Sequence, residues 1–566
     1  MGSAVKNFDF VVVGSGPAGA TLAARLANTA AAPSVLLLEA GGNNTEPSNL
    51  YLANRFTTLA TEGMNWGYKT TPQQHLGGRE IDYSRGKGLG GSSGINFACY
   101  TVGPRDDYEE WARAVGDEAF GWEEARRRYD ALEAYDADVP EGFRRFVAPR
   151  KEAHGAKGPL QVEFAKGWEW SVEENMAAAD EAIGMKTNLD INSGDPLGIG
   201  LVPSTSKNGI RSTAKTAFLA DPPANLTILT DALVERVVFE GKRAVGVLSN
   251  GETYYANKDV VLSAGALDTP KILLLSGVGP EEELSRHAIP AVHHLPGVGK
   301  NLQDHVFVSL VKQFEEGLIG RPQLFNDATA LAAAREQFAA DQTGPLSIFY
   351  NSILMGWQQA PEVYESSEFK ALPLETQEYI RKPTIPSFEH IGLCPAIHPA
   401  ADPNGEYLTI LTMQMIPQST GEVTLRSTDP KDPPLCDPKL FSHPFDRRNM
   451  IEAVRRSWRV MEAEPLAKHV VGDFSMPKGR SDEEIFDYIK EVCMTTWHMT
   501  GTVKMGKEGD ESACVDTSFR VKGLEGLRVV DNSVPPFVLN CHVVSVAYLM
   551  GETAADKIVA EYGLDK

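Results

Sequence analysis

Histidine is the side chain best suited to moving protons near neutral pH, and His498 stands in the run CMTTWHMTGTVKMG between Trp497 and small residues. Residue type alone admits three uses: packing in a core, ligation of a metal, or acceptance of a proton from a substrate. Its ordinary pKa of about 6.5 leaves a neutral, usable imidazole near pH 7. A second chemistry is written near the N-terminus, where FDFVVVGSGPAGATLAARLAN carries Gly14, Gly16 and Gly19 in G-x-G-x-x-G order. Gly14 suits a tight turn, Gly16 lets backbone approach a pyrophosphate, and Gly19 lets helix and strand pack closely. The phosphates then sit at a helix N-terminus. Glu39 in SVLLLEAG lies 20 residues beyond Gly19, where an acid meets a ribose hydroxyl and rejects a 2′-phosphate. A bound dinucleotide is expected.

The elements that must hold these residues are legible as a pattern. An apolar β-branched run, an Ala/Leu-rich helical stretch and a second apolar strand make a βαβ start. A second glycine-rich stretch, SRGKGLGGSSGINFACYTVGPRDDYEEW, supplies Gly86, Gly88, Gly90 and Gly91, then Ser92, Ser93 and Asn96. Two separated glycine-rich loops favour the larger, permanently held FAD over NAD. ALVERVVFEGKRAVGVLSNG alternates like a hairpin, VVLSAGA reads as a buried strand ending in small residues, and LRVVDNS reads as a strand ending at Asp531. DPKDPPLCDP marks a loop, and no repeat of 20 to 50 residues is visible.

With 566 residues, the chain exceeds what one core organises, so two or more domains are expected. Apolar runs are too short to span a bilayer. A net charge of -22 disfavours nucleic acid and anionic membranes as partners. The six cysteines are scattered without a C-x-x-C pair, and His293-His294 has no third ligand at metal spacing, so no metal is expected. The start MGSAVKNFDF has no signal-like segment, which implies either an intracellular protein or one whose signal was removed. Asn43-Asn44-Thr45 and Asn225-Leu226-Thr227 are glycosylation triplets relevant only to a secreted chain.

RGKGLGGSSGIN and GALDTPKILLLSGVG (residues 265–279) resemble the two signature motifs of the glucose-methanol-choline (GMC) oxidoreductases, flavoenzymes that oxidise alcohols. NWGYKTTP, VGKNLQDH, GEVTLRSTDP and GLRVVDNSVPP extend the likeness over nearly the whole chain. The resemblance implies an α/β fold: a Rossmann-like FAD domain from residues 1–160, 201–306 and 490–566, and an α+β substrate domain on an antiparallel sheet from 161–200 and 307–489. By position in WHMTGTV and VLNCHVVSVAYLMG, His498 becomes the catalytic base and His542 the partner that holds the alcohol oxygen. A His/His pair is closer to aryl-alcohol oxidase and glucose oxidase than to choline oxidase, whose partner is asparagine.

FAD contacts implied by the same motifs fall on Gly14, Ser15, Gly16, Pro17, Ala18, Gly19, Glu39, Ala40, Trp66 and Arg85. They continue with Gly88, Leu89, Gly91, Ser92, Asn96, Phe97, Ala98, Val234, Ala264, Gly265, Asp531, Asn532, Val543 and Val544. Ile95 stands where choline oxidase tethers its flavin through histidine, so non-covalent FAD is implied. Phe97 and Trp497 match substrate-facing positions of aryl-alcohol oxidases, which favours aryl, allylic or furanic primary alcohols, with O2 or a quinone as electron acceptor and oxidase favoured over dehydrogenase. The alternatives are a hydroxynitrile-lyase-like flavoprotein without redox turnover and a protein holding a structural flavin.

Overall fold

The computed structural model describes residues 6–44, 58–139, 141–168, 170–341, 343–346, 353–393, 396, 398 and 400–565. Of the residues singled out above, Thr45, Cys394 and the first five of the chain lie outside them.

Two sheets organise the molecule. In the first, strands run in the order Leu226–Leu229, Val35–Leu38, Asn7–Val13, Glu252–Leu262, Arg243–Ser249 and Val234–Glu240, with Leu527–Val529 also paired to Glu252–Leu262. The pairings around Asn7–Val13 are parallel, and Val35–Leu38 on one side and the end of the other neighbour, Val260–Leu262, are buried and apolar, as a sheet covered on both faces requires. Val13 stands opposite both Leu38 and Leu262, so the three strands end level. Gly14, Glu39 and Ser263 therefore meet at one carboxyl edge, where α/β sheets bind ligands. The expected hairpin is present as the antiparallel pair Val234–Glu240 and Arg243–Ser249. The strand before Asp531 ends at Val529, two residues earlier than its sequence suggests.

The second sheet is antiparallel, ordered Val470–Ser475, Val306–Phe314, Glu406–Gln414, Phe388–Leu393, Ile353–Gln358 and Gly198–Val202. The helix Pro444–Glu462 shares its core. Strands of the first sheet fall within the segments assigned to the FAD domain. Met494–Thr495 pairs with the second sheet although it lies beyond residue 490, and Gly198–Val202 straddles residue 200. No helix among the described residues is long and apolar enough to cross a membrane.

Candidate active site

A cavity of about 360 Å³ runs from the carboxyl edge of the first sheet to the face of the second. At one end the helix Pro17–Ala27 begins at Gly16 with no side-chain cap and no acid in its first turn. Its free N–H groups thus form an anion site. A Cβ on Gly16 would meet nothing within 4 Å, so the space beside this helix end is open. The equivalent test at Gly14 gives the opposite result. Its φ of +99° is left-handed, and a Cβ would run into the Ser263 carbonyl. These features fit a dinucleotide pyrophosphate at Gly16.

Glu39 is buried at the cavity edge and accepts four hydrogen bonds: Ser15 N and Oγ at 3.1 and 2.7 Å, Gly41 N at 2.9 Å and Gly88 N at 3.0 Å. A ribose hydroxyl reaching Oε2 would take the place of the Ser15 hydroxyl. Asp531 accepts from Gly265 N, Thr269 Oγ1 and Ser533 N at 2.8, 2.6 and 2.7 Å. Burial pushes its carboxyl above the usual range, against those hydrogen bonds.

Ser15, Pro17, Ala18, Ala40, Trp66, Arg85, Gly91, Ser92, Ile95, Asn96, Phe97, Ala98, Val234, Ala264, Gly265, Asn532, Val543 and Val544 line the same cavity. Three expected contacts do not. Gly19 packs its missing side chain against the Gly14 carbonyl, while Gly88 spends its N–H on Glu39 and Leu89 its own on the Gly42 carbonyl. These three shape the cradle from behind. Val543 and Val544 open the helix Val544–Tyr562, a second uncapped N-terminus turned to the cavity.

At the far end the rings of His498 and His542 lie 4.9 Å apart, inclined at 70°. Two segments remote in sequence bring His498 there. Residues 303–305 pair with 496–500 through Gln303 N–Thr500 O, Thr500 N–Gln303 O and Thr496 N–His305 O, each 3.0 Å. Asp304 then accepts the backbone N–H of His498 at 2.8 Å. Trp497 is forced to a φ of +59°, a strained conformation for a bulky residue that costs about 1–3 kcal/mol. Its amide donates to Thr495 Oγ1, its carbonyl accepts from Arg85 Nη1 at 2.8 Å, and its indole donates to Asp82. Trp497 and Phe97 meet edge to face at 5.8 Å and both line the chamber.

Each catalytic candidate has a partner that sequence reading missed. His498 Nδ1 faces His305 Nδ1 at 3.0 Å, and His542 Nε2 faces Glu389 Oε1 at 3.0 Å. His305 closes the quoted run VGKNLQDH, where its role is not singled out, and no signal marks Glu389. Glu389 and Ile391 alternate on one strand and both look to the site, Ile391 as cavity wall. Burial holds His498 well below its ordinary pKa, with the charges of His542, His305 and Arg85 adding to the effect. Burial pushes His305 down to about 3. Phe307, Ile353, Met355, Ile391, Leu411 and Met413 add an apolar wall to the cavity.

Elsewhere, His293–His294 forms a short strand beside Val278–Gly279, and no cluster of three metal-ligating side chains occurs among the described residues. Asn225 uses both hydrogens of its side-chain amide on the carbonyls of Ala27 and Pro33, at 2.9 and 2.8 Å, so a glycan there would remove one of the two donors.

A dinucleotide cradle opening into a histidine-bearing apolar chamber defines a flavoprotein oxidoreductase class. The GMC oxidoreductase family model matches residues 8–307 with its N-terminal part and 417–551 with its C-terminal part, and the chain belongs to this family of enzymes that act on alcohols. It is 33% identical to an "Alcohol dehydrogenase [acceptor]" of Pseudomonas putida, over 98% of this chain and 96% of that one. A structure of formate oxidase from Aspergillus oryzae RIB40 superposes with a TM-score of 0.90 at 28% identity, covering 100% of both chains. A fungal aryl-alcohol oxidase shares the fold, with a TM-score of 0.87 at 24% identity over 99% of this chain and 100% of that one.

Proposed function

We propose that the protein oxidises an apolar primary alcohol, of aryl, allylic or furanic type, to the aldehyde, with His498 and His542 as the catalytic pair. The observation that carries this reading is the placement of both imidazoles, 4.9 Å apart, in the apolar end of the cavity that begins at Gly16. FAD, when bound, supplies the acceptor for the hydride that leaves the alcohol carbon. The chain's own work is to bind, orient and move a proton. Phe97 and Trp497 offer edges and faces for a planar substrate, and the aliphatic wall excludes water. The histidine pair removes the hydroxyl proton and holds the oxygen.

FAD is held without a covalent bond, Ile95 having no group to form one; flavin released into solution by acid precipitation tests this. A positive charge retained on the histidine pair favours electron transfer to O2, so oxidase activity is preferred to quinone reduction. Peroxide release measured against quinone reduction decides between them. The reaction itself is tested by anaerobic mixing with benzylic, allylic and furanic alcohols: bleaching of the flavin supports it, and an unchanged spectrum with cyanohydrin cleavage supports the lyase instead.

A further inference from the structure

An adenosine ribose at Glu39 puts its base one glycosidic bond away, at the end of the cavity remote from the histidines. Ala232 donates its N–H to the Glu39 carbonyl at 2.8 Å and leads into Val234, and both residues line this end. A second element facing the cavity is the helix Gly265–Leu275. It presents Gly265, Asp268 and Ile272 at the i, i+3, i+7 spacing of one helix face, with Lys271 beside them. Burial pushes the Asp268 carboxyl above the usual range, Lys271 and the Tyr68 hydrogen bond pull it back, and the charge of Glu39 raises it further. The two acids therefore lie within electrostatic reach of each other.

Lys271 is 5% exposed and lines the cavity. Among the described residues its Nζ has one ion-pair partner, Asp268 Oδ1 at 3.7 Å, and no hydrogen bond. A lysine amine held out of water with no acceptor for its hydrogens is costly, and a purely structural ion pair would draw closer. Asp268 Oδ1 accepts from the Tyr68 hydroxyl at 3.0 Å, and Tyr68 stacks on Trp66, another cavity residue, at 5.7 Å. Asp268 Oδ2 takes no hydrogen bond from the described residues. A donor and an acceptor thus stand side by side in the cavity wall, both with capacity to spare.

Adenine carries the complementary pair on one edge: N7 accepts and the adjacent 6-amino group donates, whereas a 6-oxo purine has an acceptor at both places. We propose that Asp268 and Lys271 read the adenine of the bound dinucleotide, the carboxylate accepting from the 6-amino group and the amine donating to N7. Neither residue stands among the contacts that the glycine-rich motifs imply. The pair makes the cradle selective for an adenine-bearing flavin over one that ends in a 6-oxo purine. This inference rests on FAD as the cofactor and holds whichever alcohol is oxidised.

The test needs no turnover. Flavin-loaded protein is equilibrated with equal, excess concentrations of FAD and its 6-oxo analogue, flavin hypoxanthine dinucleotide; after desalting, the bound flavins are released by acid and quantified by chromatography. Wild type is expected to hold FAD over the analogue by at least about 10-fold. Asp268→Asn, whose amide can donate to a 6-oxo group, should bring that ratio to within about 3-fold of unity. Lys271→Met should weaken both flavins about 10-fold, read from the fluorescence of flavin shed on dilution, and leave their ratio as in wild type, because both purines keep N7. Equal binding by the wild type, or a wild-type ratio in Asp268→Asn, overturns the proposal. Lowered melting midpoints with ratio and flavin retention unmoved mark a structural ion pair and overturn it too. If Asp268→Asn does not fold, Asp268→Ser takes its place, with loss of the preference again expected and its persistence again contradicting the assignment.

Discussion

Arg85 donates from Nη1 to the Trp497 carbonyl at 2.8 Å, fixing in a left-handed conformation the residue immediately before His498. Its Nη1 also reaches Met499 Sδ at 3.2 Å, so one guanidinium grips the chain on both sides of the histidine. Backbone strain of this kind persists only where surrounding contacts over-determine it.

Arg85→Gln should therefore release the Trp497–Met499 segment. Misplacing a reacting group by about 1 Å costs about 10²-fold in rate. A loss of that size in alcohol-driven flavin reduction, with a lowered thermal midpoint, is the expected outcome in stopped-flow and melting experiments.

The two ends of the glycine fingerprint should respond differently. Gly16→Val places a side chain in open cavity, so folding survives and bound flavin falls at least about 10-fold, read from the ratio of 450 to 280 nm absorbance. Gly19→Ala drives a Cβ into the Gly14 carbonyl and should instead yield little folded protein.

Acid should weaken the fold through His305. Burial holds its folded pKa to about 3 against an ordinary value of 6.5, so between these values the unfolded chain binds more protons than the folded one. Stability from this group is complete above about pH 6.5 and is lost as pH falls below it. The stability gap between wild type and His305→Asn, measured by denaturant unfolding, should move in favour of the variant from pH 7.5 to pH 4.5.

How far the sequence disclosed all this depends on the range of each interaction. Gly14, Gly16, Gly19 and Glu39 act within one βαβ unit, whose spacing is a local matter, and their placement at one sheet edge was readable from that spacing. His498 and His542 were readable through the motifs that carry them. Their partners were not: His305 and His498 stand 193 residues apart and Glu389 and His542 stand 153 apart, and both contacts exist only because separate strands converge. Glu389 shares a strand face with Ile391, and nothing in that short-range pattern tells which distant side chain will meet it. Gly88 and Leu89 turn their N–H groups to Glu39 and the Gly42 carbonyl, a placement no local pattern announces, because a glycine-rich loop looks alike in sequence whether its N–H groups face a phosphate or the protein's own oxygens.

An apolar chamber should discriminate against polyols. Each extra hydroxyl buried there without a partner costs about 1–3 kcal/mol, so kcat/KM for benzyl alcohol should exceed that for glucose by at least about 10²-fold. Comparable values would require polar wall groups that Phe307, Ile353, Met355, Leu411 and Met413 do not supply.

The convergence of His498 and His542 on one flavin-bearing chamber is tested most directly by mixing the oxidised, flavin-loaded protein with a benzylic alcohol in the absence of oxygen. Rapid loss of the 450 nm band with one aldehyde formed per flavin is the predicted result, and the double variant His498→Ala/His542→Ala should retain its flavin and stay yellow. Flavin that remains oxidised in the wild type with every alcohol, or that bleaches as fast in the double variant, would contradict the account.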